Sequence, residues 1–98
     1  MTNRSMFEWD DNKNQLNIKK HGVDFNDAWT VFNDDNILYE VDDEHSFNEE
    51  RLIAIGMSEQ SKILYVCHCY RGDDDIIRLI SARKANKTEI EIYYGGAT

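Results

Sequence analysis

The sequence predicts an α+β domain in which helices flank a run of antiparallel strands. Three observations carry that prediction. Phe25, Ala28, Trp29 and Phe32 recur at i, i+3, i+4 and i+7, which is one apolar stripe on a helix. From residue 36 the apolar period changes to two, in four runs rich in β-branched and aromatic residues with polar turns between them. No proline, repeat or low-complexity tract interrupts the 98 residues, a length that suits one domain, 1–98, with one core.

Each element follows from local chemistry. Residues 1–5 are polar and are expected to fray. Residues 7–9 form a short strand before Asp10, which is the N-cap of a helix over 11–21 that stops at Gly22. Asp24 caps the striped helix, and Val23 before it can staple onto Ala28. A connection as short as residues 21–24 favours a two-helix hairpin. The segments 37–41 (ILYEV), 51–57 (RLIAIGM), 62–70 (KILYVCHCY) and 76–82 (IIRLISA) then read as a four-stranded antiparallel meander. Asn86 and Glu89 have capping-box spacing, so Ile90, Tyr93 and Tyr94 belong to a C-terminal helix ending near Gly95. Such a sheet needs helices on at least one face.

Nineteen acids against eleven Lys and Arg leave a net charge of −8, which argues against whole-protein attraction to nucleic acid or anionic membrane. Any such binding must come from local clustering. No signal peptide or membrane-length apolar window is evident, so the cytoplasm is the expected compartment. Cys67 and Cys69 share one face of a strand while His68 points to the other, and no second ligand pair appears. These thiols read as small buried hydrophobes, and neither a metal nor a cofactor is expected.

Chemistry concentrates in the basic residues. If both strand turns close symmetrically, Arg51 lies opposite His68 and His68 opposite Arg78, which sets two guanidiniums around an imidazole. That row suits a phosphate, with Arg as bidentate donor and His as proton carrier. Alternatively the arginines pair with Glu40, Glu49 or Glu50 at the sheet rim. Arg83, Lys84 and Lys87 surround the start of the last helix, where free N–H groups would also favour an anion. Ser81 has no evident His and Asp partners and is not read as an activated nucleophile. Lys19, Lys20 and His21 stand together before Gly22, either to offset the helix dipole or to meet something anionic.

Phe-Glu-Trp-Asp (7–10), Lys-His-Gly-Val (20–23), Glu-Glu-Arg (49–51) and Ile-Ser-Ala-Arg (80–83) together resemble the BrnT family of bacterial toxins, in the family's order and spacing from about residue 7 to 93. The resemblance implies a RelE-like ribonuclease fold and a toxin that cuts RNA, without metal, and so arrests translation and growth. It also implies neutralisation by a BrnA-type antitoxin whose ribbon-helix-helix domain binds operator DNA, so that the toxin meets DNA only through its partner, with room for homodimerisation in the complex. Carried onto this sequence, the catalytic candidates are His21, Arg51, His68, Arg78 and Arg83. Lys19, Lys20, Arg71, Lys84, Lys87 and Tyr93 are the RNA-contacting candidates. The rival function is a binding module that acts through its antitoxin in operator autoregulation without turning over RNA.

Overall fold

A computed structural model describes residues 6–45, 50–72 and 76–95. The expected fraying of residues 1–5, and Glu49 as an arginine partner, lie outside them. The elements are β1 (Phe7–Glu8), α1 (Asp11–His21), α2 (Phe25–Ala28), β2 (Leu38–Val41), β3 (Leu52–Met57), β4 (Ile63–Arg71), β5 (Ile76–Lys84) and α3 (Lys87–Tyr93). The sheet order is β1-β5-β4-β3-β2. β2 to β5 form the expected antiparallel meander, and β1 adds in parallel to the outer side of β5.

The predicted caps form. Asp10 accepts the Asn12 and Lys13 N–H groups at the start of α1, and Gly22 ends it at φ 71, a left-handed conformation that costs a glycine little. The buried side of α1 is polar. Asn14 Oδ1 accepts the Phe25 N–H at 2.8 Å while Nδ2 donates to Asp24 at 3.0 Å. The helical hairpin is therefore closed by hydrogen bonds rather than by an apolar seam.

The striped segment is shorter as an α-helix than its pattern suggests. After Ala28 the chain tightens into a 3₁₀ helix, Trp29–Asn33. Thr30 sits at that change: its hydroxyl donates to the Asp27 carbonyl at 2.6 Å and accepts the Glu59 N–H at 2.8 Å, which fastens the segment to the β3–β4 turn. The stripe still faces the sheet, where Val23, Phe25, Ala28 and Val31 pack on Ala54, Leu64, Val66, Leu79 and Ala82. Gly56 allows that approach, because a Cβ there would come within 3.1 Å of Val31 Cβ.

The opposite face carries a smaller cluster, in which Ile63, Tyr65, Ile80 and Tyr93 pack around Ile53, Ile55 and Cys67. Tyr93 brings α3 to this face, and α3 opens with the reciprocal Asn86 and Glu89 capping box. Both cysteines are buried in β4, as their pattern predicts.

Candidate functional site

The observed register differs from symmetric closure. His68 lies opposite Leu52 on one side and Leu79 on the other, and Arg78 lies opposite Cys69. The ladder jumps between Cys67, opposite Ser81, and His68, opposite Leu79, so Ile80 is an extra residue in a β-bulge. In a regular strand Arg78 and Arg83, five residues apart, would face opposite sides. The bulge resets the alternation and puts both on the face that carries Cys67 and Cys69. Arg71 follows Cys69 on that face, and Arg51 precedes Ile53 on it. Four of the five arginines thus share one side of the sheet.

Three of these guanidiniums, those of Arg71, Arg78 and Arg83, are held by carboxylates. Arg78 Nη1 meets Glu8 Oε2 at 2.8 Å, and Arg71 Nε approaches the same oxygen at 3.4 Å. The partner expected for Arg78 among Glu40, Glu49 and Glu50 is replaced by Glu8, which β1 sets beside it. Arg83 forms a bidentate pair with Glu89, at 2.9 Å on each arm, and lies 3.8 Å over the Tyr65 ring. Burial alone would raise the Glu89 carboxyl, but hydrogen bonds from Arg83 and the Asn86 N–H outweigh it and hold it below the usual range. Arg51, Tyr65, Ser81 and Arg83 line one open groove on this face, with Asp42 and Glu44 at its acidic side.

The helix corner reaches the same place from the other side. Lys20, half-buried His21 and Lys13 line a second groove with Ile80 and Ser81. The bulge therefore stands between α1's cations and the arginine groove, and Ile80 and Ser81 belong to both. What holds α1 there is Asn17, whose amide bonds the Ala82 carbonyl and N–H at 2.8 and 3.1 Å. Lys19 is exposed on α1. Sequence reasoning alone does not single out Lys13 or Asn17: Lys13 sits about two turns before Lys20 without any motif, and an Asn inside a helix carries no local sign of a strand-edge partner.

Several expected residues fall elsewhere. His68 is fully buried on the helix-covered face, ringed by Phe32, Tyr39 and Tyr70 at 4.9 to 6.1 Å, so the expected row of Arg51, His68 and Arg78 does not form. Burial lowers its pKa to about 4, against the opposing hydrogen bond to the Val66 carbonyl. An imidazole that is neutral and sealed from solvent cannot exchange protons with a substrate. Tyr93 donates to Asp34 at 2.6 Å; burial first and that carboxylate second raise its pKa to about 12. Lys84 lines a different groove with Lys62 and Tyr94, and Lys87 is exposed on the first turn of α3. The anion site expected at that helix start is partly taken by the protein itself, because the Glu89 and Asn86 N–H groups bond within the capping box.

Residues 9–89 match the family model described as ribonuclease toxin, BrnT, of type II toxin-antitoxin system. The chain belongs to the BrnT family. The crystal structure of the Brucella abortus ribonuclease toxin, BrnT, is similar at a TM-score of 0.59 and 30% identity, covering 84% of this chain and 99% of that one. No curated protein matches. The α+β fold expected for a BrnT chain is the one observed, and membership in a type II system implies a protein antitoxin as partner. Among the described residues, no helix of this BrnT chain is long and apolar enough to cross a membrane, and no three His, Cys, Asp or Glu side chains converge as a metal set would require.

Proposed function

We propose that this BrnT-family chain cleaves RNA at the Ile80–Ser81 bulge by metal-independent general acid–base chemistry, and so inhibits translation and growth. The observation that carries the reading is the meeting at that bulge of two grooves that carry basic side chains, Lys13, Lys20 and His21 on one side and Arg51 and Arg83, beside Asp42 and Glu44, on the other. An RNA strand crossing β5 there would lay a phosphate between them. His21 takes the proton of the 2′-hydroxyl, whose oxygen attacks the adjacent phosphorus; the bond to the 5′ oxygen breaks, and that oxygen leaves with a proton supplied by the site. Arg51 stabilises the charge growing on the phosphoryl oxygens, Lys13 and Lys20 hold the strand, and Arg71 and Arg78 extend the cationic track along the same face. His21 fills the role that His68 cannot, since it borders an open groove.

The partner in this reading is a BrnA-type antitoxin with a ribbon-helix-helix domain, through which the complex meets operator DNA. A second reading, a chain that binds its antitoxin and tunes operator occupancy without turning over RNA, is favoured by one observation. Arg71, Arg78 and Arg83 are all ion-paired to Glu8 or Glu89, which lowers the net charge of the face. Induced expression without the antitoxin separates the two. The ribonuclease reading predicts growth arrest and fragmented RNA for the wild type, and neither for Arg51→Ala or His21→Ala; a wild type that neither arrests growth nor fragments RNA favours the second, and arrest without fragmentation contradicts both.

A further inference from the structure

The edge strand β2 offers a surface that the ribonuclease site does not use. It ends the sheet, and all four of its residues are exposed, Tyr39 by 53% and Val41 by 46%. The Asp42 N–H donates to the Arg51 carbonyl at 2.8 Å. By the alternation of an antiparallel ladder, Glu40 and Leu38 then turn their main-chain groups toward β3, and Tyr39 and Val41 turn theirs outward, off the edge. Natural edges are usually blunted by Lys, Pro or a bulge, and β2 has none of these. The side chains of Tyr39 and Val41 share a face with Tyr70, itself 37% exposed, in an apolar row above buried His68.

Charge selects the occupant. Asp34 and Asp35 precede β2, Glu40 lies within it, and Asp42, Asp43 and Glu44 follow it. A second copy paired through this edge would bring the same acidic groups face to face, which is destabilising. An extended segment with alternating apolar and basic side chains meets both features at once. The geometry points to β2 as the strand to which such a segment of the antitoxin adds, its backbone bonding Tyr39 and Val41 and its Lys or Arg side chains facing Glu40, Asp43 and Glu44. This rests on the reading of the chain as an antitoxin-neutralised toxin. It also gives neutralisation a route, because Asp42 and Glu44 border the Arg51 groove, and a segment that continues past β2 reaches its mouth.

The test uses the full chain with its co-purified antitoxin and two variants. Val41→Pro removes an outward N–H without touching the inward ladder, a position at which an edge strand tolerates proline; Asp43→Lys reverses one flanking charge. Val41→Pro is expected to weaken antitoxin affinity at least a hundredfold while its own RNA cleavage is unchanged and escapes inhibition. Asp43→Lys is expected to weaken affinity five- to tenfold, and amide exchange at Tyr39 and Val41 should slow when wild-type chain binds antitoxin. If Val41→Pro does not fold, the exchange measurement and Asp43→Lys decide. Unchanged affinity in the folded variants, unchanged exchange at β2, or a free chain that dimerises through β2 would overturn the inference. Absence of RNA cleavage by the wild type would instead count against the ribonuclease reading and leave the affinity comparison intact.

Discussion

The side-chain amide of Asn17 serves the backbone of Ala82 as a neighbouring strand would, accepting its N–H at 3.1 Å and donating to its carbonyl at 2.8 Å. The same Nδ2 also donates to the Val23 carbonyl at 2.8 Å. Asn17 is buried, so α1 is locked where β5 runs beyond its pairing with β1, and this lock places His21 and Lys20 at Ser81. Asn17→Ala leaves three backbone groups without these partners. The expected loss is about 2–3 kcal/mol in denaturant unfolding, by the cost of unmet buried hydrogen bonds, together with reduced RNA cleavage from the protein that remains folded.

Gly56 is a packing requirement. Its hypothetical Cβ would lie 3.1 Å from Val31 Cβ and 3.2 Å from the Val31 carbonyl oxygen. Because a backbone atom cannot yield as a flexible side chain does, Gly56→Ala should cost about 1–3 kcal/mol. Thermal unfolding reads the loss directly; a variant as stable as wild type would show that the 3₁₀ segment shifts freely over β3.

Stability should fall in mild acid because of His68. Its folded pKa lies near 4, below the ordinary value of 6.5. The unfolded chain binds a proton below pH 6.5 that the folded chain refuses until about pH 4, so this contribution is full above pH 6.5 and is lost as pH falls toward 4. The loss is at most about 3 kcal/mol. Unfolding free energy measured from pH 7 to 4 should decline less steeply in His68→Leu than in wild type; equal slopes would mean that the imidazole is not sealed.

Glu89→Gln tests whether ion pairing restrains the RNA face. Glutamine keeps the capping box, so the stability change should stay within about 1 kcal/mol. Arg83 loses its carboxylate, however, and becomes available to a phosphate. RNA affinity should rise, with the log–log salt slope steeper by about 0.7, the value for one more single-strand phosphate contact. Unchanged affinity and slope would place Arg83 outside the RNA track.

Local chemistry made much of the fold legible. Asp10, Gly22, Asp24 and the pair Asn86 and Glu89 act as their sequence positions suggest, because a cap depends on residues within one turn. The strands follow their period of two. The site was only half legible. Lys20, His21, Arg51 and Arg83 do meet the bulge grooves, but the bulge at Ile80 has no glycine or other local signal, and it decides that Arg83 joins Arg78 on one face; the β3–β4 register, which sets Leu52 rather than Arg51 opposite His68, leaves His68 facing the core. Glu8, which holds Arg78 across 70 residues of sequence, becomes visible only once β1 is paired with β5. Asn14 and Asn17 read as solvent-facing polar residues until their long-range backbone partners are known.

The central claim, that His21 at the Ile80–Ser81 bulge carries proton transfer in metal-free RNA cleavage, is tested most directly by comparing purified wild type with His21→Gln on a single-stranded oligoribonucleotide in EDTA. The wild type is expected to cleave under chelation, and His21→Gln, folded to the same extent, to be slower by about 10² or more, the usual contribution of a general acid or base. Cleavage by His21→Gln at the wild-type rate would contradict it, as would wild-type activity that disappears with the metal.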